Sequence, residues 1–141
     1  MRRLVIGVGN PMRGDDAAGP EVARRVTSVE TRVSTTGSFE LIGFWEEADE
    51  VIIVDAARSG SRPGTIHRFD AGERPLPAGT LATSTHAVGI PEVVEMARTR
   101  GRLPGRLWVY GIEVSGLGDG DELTPPVEEA VASLVAEIDH A

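Results

Sequence analysis

Arg3-Leu4-Val5-Ile6-Gly7-Val8-Gly9-Asn10-Pro11-Met12-Arg13-Gly14-Asp15-Asp16, running on through Ala17-Ala18-Gly19-Pro20, is the stretch whose reading decides the fold. Leu4 to Val8 is short, β-branched and nearly unbroken, the pattern of a strand buried on both faces of a parallel sheet. Gly9-Asn10-Pro11 ends it, because Gly permits positive φ while Pro fixes φ and removes a ladder donor. A helix follows from near Ala17 or Pro20 to about Ser28, with Ala18, Val22 and Val26 as its inward stripe. Asp15 or Asp16 is expected to cap that helix, since a short carboxylate accepts its orphan N–H groups. Capping needs one acid. The second points to chemistry at the carboxyl edge of the sheet, where open α/β folds place their sites.

The same logic applies to Glu50-Val51-Ile52-Ile53-Val54-Asp55-Ala56, whose four consecutive β-branched residues mark a central strand. It delivers Asp55 to the same crevice. A further strand is expected over Arg32 to Thr36, and a short helix over Phe39, Leu41, Ile42 and Trp45. Thr65 to Asp70 alternates apolar with polar, which predicts an antiparallel edge strand with His67 as a surface residue. In Ser84-Thr85-His86-Ala87-Val88-Gly89, His86 sits in a hydroxyl-rich loop before a helix carrying Ile90, Val93, Val94 and Ala97. Arg98 to Gly105 reads as a basic loop. Leu107 to Ile112 is the last strand, with Glu113 directly after it, and Gly116 to Asp121 is an acidic turn. Thr124-Pro125 opens a final helix whose apolar face is Val127, Val131, Leu134, Val135 and Ile138. Strands alternating with helices predict a single α/β domain over 1–141: a three-layer α/β/α sandwich with a mostly parallel twisted sheet and one antiparallel edge strand.

Composition removes several functions. The net charge of −8 argues against nucleic-acid or anionic-membrane partners. No apolar stretch approaches the ~20 residues of a membrane span. All fourteen basic residues are arginine. Without lysine there is no Walker-type phosphate loop, no Schiff-base chemistry and no Ser–Lys dyad, because a guanidinium cannot replace the amine. Absence of lysine also argues against a phospho-accepting receiver domain, which the paired acids otherwise suggest. There is no cysteine, hence no disulfide, thiolate metal site or cysteine nucleophile. Gly7-x-Gly9 lacks the third glycine of a dinucleotide fingerprint, since Met12 stands there. Met1-Arg2-Arg3 leads straight into a strand without a signal-peptide core, so a cytoplasmic protein is expected.

The candidates that remain are Asp15, Asp16, Asp55, His86 and Glu113. Two carboxylates and an imidazole without thiolates make a hard-to-borderline metal site with open positions. Gly7-Val8-Gly9-Asn10 with Gly14-Asp15-Asp16-Ala17-Ala18-Gly19, Val51-Ile52-Ile53-Val54-Asp55-Ala56, Ser84-Thr85-His86-Ala87-Val88-Gly89, and Gly111-Ile112-Glu113 with Leu123-Thr124-Pro125 resemble the hydrogenase maturation endopeptidases. The resemblance spans essentially the whole chain. It implies that Asp16, Asp55 and His86 contact nickel, and that the nickel belongs to the substrate, the immature large subunit of a nickel–iron hydrogenase. The enzyme would then remove a C-terminal extension from that precursor, with Asp16 first and Asp55 second as candidate general base. The chain departs from the family pattern at Ala17, usually Gly, and at Val114, usually Pro. The resemblance carries no permanently bound cofactor, and a monomer is expected. A non-catalytic metal- or small-ligand-binding module on the same fold is the other reading.

Overall fold

The computed structural model describes residues 1–85, 87–116 and 122–141. Five strands form one sheet: β1 (Arg3–Val8), β2 (Glu30–Ser34), β3 (Glu50–Ala57), β4 (Ile66–Asp70) and β5 (Arg106–Glu113), in the order β2-β1-β3-β5-β4. All neighbours are parallel except β4, which runs antiparallel to β5 at the edge. Helices α1 (Ala18–Arg25) and α4 (Pro125–Asp139) cover one face, and α2 (Glu40–Trp45) and α3 (Ile90–Thr99) cover the other. This is the expected three-layer sandwich with its antiparallel edge.

The strands that read as continuous apolar runs are buried on both sides because alternate residues serve different layers. Leu4, Ile6 and Val8 of β1, with Val51 and Ile53 of β3, meet Leu41, Trp45, Ile90 and Val93 from α2 and α3. Val5, Ile52 and Val54 meet Val22, Val127, Val131 and Leu134 from α1 and α4. Val135 contributes only partly to that face. Glycine sets how closely α1 approaches. A Cβ on Gly7 would fall 2.2 Å from the Gly19 carbonyl oxygen, and one on Gly19 would fall 2.3 Å from that of Val54. The start of α1 is therefore in backbone contact with the carboxyl ends of β1 and β3.

Several boundaries differ from expectation. Strand β2 lies two residues earlier than Arg32 to Thr36, in a register running from Leu4↔Glu30 to Val8↔Ser34. It is an edge strand on which only Ser34 is buried, so hydrophobic alternation carried no register. Helix α1 ends at Arg25, and Val26 turns to an extended conformation while keeping its side chain buried. Arg98 and Thr99 belong to α3 rather than to a loop; the Arg98 guanidinium donates to the Ala71 and Gly72 carbonyls at 2.6 and 3.0 Å. The acidic stretch 117–121 lies outside the described residues. Among the described residues no helix is long and apolar enough to cross a membrane.

Candidate active site

The site is built from the turn after β1 and the end of β3. Gly9 leaves β1 at φ +141°, and a Cβ there would sit 2.1 Å from the Asp16 carbonyl oxygen. Only glycine lets the chain double back so closely. The backbone then forms a 3-10 turn over Gly14–Ala17 before α1 begins. That turn moves the helix start past both acids, so neither caps it, contrary to expectation: α1 has no side-chain cap.

The adjacent acids have different surroundings. Asp15 is buried and accepts the Thr124 N–H at 2.8 Å and the Thr124 hydroxyl at 2.9 Å, tethering the residue that precedes α4. Asp16 is half-buried, and its Oδ2 accepts the Asn10 N–H at 3.0 Å. Among the described residues it has no cationic partner.

Asp55 is fully buried, paired in register with Gly111 of β5. Its Oδ1 accepts the Ala56 N–H at 2.9 Å, and its Oδ2 accepts the Thr83 N–H at a long 3.3 Å. Burial pushes its pKa up to about 7 against the pull of these amides, and the Asp16 charge pushes the same way. The Thr83 hydroxyl is close enough to favour the charged carboxylate, yet among the described residues it makes no well-aligned hydrogen bond. Thr83 belongs to a second 3-10 turn, Ala82–Thr85, so the segment leading to residue 86 is fastened to the Asp55 carboxylate. His86 itself lies outside the described residues. The structure thus brings Asp16 close enough for its charge to act on Asp55, and ties Asp15 to Thr124 instead.

Glu113 lies on β5, inside the strand rather than after it, and is buried. Its Oε1 accepts the Ser59 hydroxyl at 2.6 Å and lies 3.0 Å from His67 Nε2, while its Oε2 accepts the N–H groups of Ser59 at 2.9 Å and Gly60 at 3.3 Å. Burial pushes its pKa up, but the hydroxyl, imidazole and amide donors outweigh it and hold the carboxyl below its usual range. His67 is therefore not a free surface residue. Packing of β4 antiparallel to β5 sets it opposite the side-chain-free Gly111, from which it reaches Glu113. Thr83 and Ser59 were not singled out by sequence. No local pattern marks Ser59, whose partner Glu113 lies 54 residues away in sequence.

A three-layer α/β domain with two acids at the carboxyl edge of its sheet, neither with a cationic partner among the described residues, fits a small enzyme whose site is made by loops. A family model for hydrogenase maturation proteases matches residues 34–141. The chain is 33% identical over 142 residues to the hydrogenase expression/formation protein HupD of Bradyrhizobium diazoefficiens, covering 95% of this chain and 74% of that one. It is 30% identical over 146 residues to the hydrogenase 2 maturation protease of Escherichia coli, covering 98% and 88%. The solved hydrogenase maturating endopeptidase HybD from E. coli superimposes with a TM-score of 0.78 at 26% identity, over 98% of this chain and 90% of that one. The chain belongs to the hydrogenase maturation protease family and is a hydrolase acting as an endopeptidase.

Proposed function

We propose that this protein removes the C-terminal extension from a nickel-loaded large-subunit precursor of a nickel–iron hydrogenase, reading the nickel through Asp16, Asp55 and His86. The observation that carries this reading is the pairing of Asp16 with a buried Asp55 that lacks any cationic partner among the described residues. Two carboxylates held near each other without a counter-charge favour a cation that arrives from outside. In this reading the substrate's nickel supplies that charge. Its arrival lowers the Asp55 pKa, releases its proton, and completes the coordination with oxygen and imidazole donors. The metal then polarises the scissile carbonyl or a water, with Asp16 as first candidate for general base because it is the more accessible acid. Family membership supports this reading over a non-catalytic binding module.

The test is intact-mass measurement of a nickel-loaded precursor incubated with the protein, beside a metal-free precursor and an Asp16→Asn variant. A discrete C-terminal mass loss only with nickel and wild-type protein is the expected result. Loss without nickel would keep the protease and overturn metal recognition.

A further inference from the structure

A groove of about 700 Å³ runs between α1 and α4, and it opens beside the turn that carries Asp16: Gly14 and Ala17, on either side of the paired acids in sequence, both line it. Its floor and walls mix apolar surface from Pro11, Leu123 and Ala132 with carboxylates. Four lining residues are glutamates and one, Arg25, is a cation. Arg25 is spent, because its guanidinium binds Glu21 at 3.0 Å and Glu128 at 2.6 Å. Glu21 is held a second time by Arg24 at 2.7 Å. Glu122 and Glu129 have no ion pair among the described residues. The groove therefore presents two uncompensated carboxylates on an apolar bed, in a chain already carrying a net charge of −8.

We propose that this groove receives a basic, partly apolar segment of the precursor chain and leads it to the Asp16 turn. The proposal rests on the function proposed above and names the surface that seats its substrate. Charge complementarity selects the occupant: an extended segment with arginine or lysine gains attraction to Glu122 and Glu129, whereas an acidic segment is repelled. Because the groove adjoins the acids without containing them, its contacts form equally in ground and transition states. They act on substrate capture rather than on the chemical step.

The test compares wild type, the double variant Glu122→Lys/Glu129→Lys, and the exposed control Glu73→Lys in steady-state cleavage of the nickel-loaded precursor. The expected result is a KM raised roughly three- to tenfold in the double variant with kcat unchanged, and no change in the control. An unchanged KM overturns the proposal, as does an equal rise in the control. A parallel measurement does not depend on cleavage. Overlapping labelled peptides from the C-terminal region of the precursor are titrated by fluorescence anisotropy against the same proteins. Weaker binding of basic peptides by the double variant supports the groove even if no precursor is cleaved, which would sink the proposed function alone. Equal binding by both proteins, or no binding by wild type, overturns it.

Discussion

Asp55 and Glu113 are both buried carboxylates near the carboxyl ends of neighbouring central strands. The parallel register pairs Glu113 with Ala57, two residues beyond Asp55, so the two acids share one face of the sheet. Their protonation is driven in opposite directions. Glu113 has two amides, a hydroxyl and an imidazole around it, and these donors overcome the cost of burial. Asp55 has two amides and a poorly aligned Thr83 hydroxyl, and burial wins. The difference teaches how donor supply separates a satisfied buried carboxylate from one left under-supplied. Glu113 is supplied with everything a charge needs and staples the loop after β3. Asp55 is left short of partners, which costs stability and, in the function proposed above, leaves it to an incoming cation.

The comparison breaks most visibly in activity. Asp55→Asn keeps the shape and removes the charge, so it is expected to remain folded while precursor cleavage falls by about 10²- to 10⁴-fold. Intact-mass time courses measure this. A loss below about tenfold would show that the poorly partnered acid has no part in the reaction.

A stability-versus-pH curve sharpens the same contrast. The folded-state pKa of Asp55 is raised, so between about 4 and 7 the native state holds a proton that the unfolded state has released. Stability from this group is therefore present at low pH and lost as pH rises through about 7, a fall of roughly 4 kcal/mol. Glu113 is shifted down, so its contribution is present above the unfolded-state pKa and is lost as pH falls through its folded-state value. Denaturant melts across this range should show the Asp55→Asn curve rising relative to wild type toward neutral pH. A difference curve flat between pH 4 and 7 would contradict the burial argument.

Next in size is Glu113→Ala, which leaves the Ser59 and Gly60 amides and the His67 imidazole without their shared acceptor. The expected cost is about 3 kcal/mol, read as a lower urea midpoint at unchanged slope. Glu113→Gln, which keeps the shape and one acceptor, is expected to lose less. A cost under about 1 kcal/mol for the alanine variant would remove Glu113 from the structural class.

How much of this was legible in sequence follows from what each residue depends on. The two-sided burial of β1 and β3 is written in local runs of apolar residues, so the sheet, its layers and the position of Asp55 could be read directly. Strand β2 buries only Ser34, and its register is set by pairing to β1, which no local pattern records. The environment of Glu113 was not legible, because Ser59 and His67 come from 54 and 46 residues away in sequence. The capping expectation failed for a geometric reason: the 3-10 turn over Gly14–Ala17 holds both acids and makes Ala17 the N-cap position of α1, and spacing alone cannot distinguish that turn from the helix. His86 was singled out by sequence and lies outside the described residues.

The smallest expected effect on stability concerns two acids that are neighbours in sequence. Asp15 resembles Glu113 in miniature: it is buried, and Thr124 supplies both an amide and a hydroxyl to it. Asp16 resembles Asp55, with a single donor among the described residues, the Asn10 amide. If donor supply separates structural from working acids, the neighbours should separate in the same way. Asp15→Asn should cost about 1–2 kcal/mol of stability, because the start of α4 loses a charged acceptor, and leave kcat for cleavage within a few-fold of wild type. Asp16→Asn should do the reverse, with little change in the urea midpoint and a large loss of cleavage. Measuring both variants for both properties crosses the comparison. If Asp15→Asn abolishes cleavage at unchanged stability, counting donors is the wrong way to tell these acids apart.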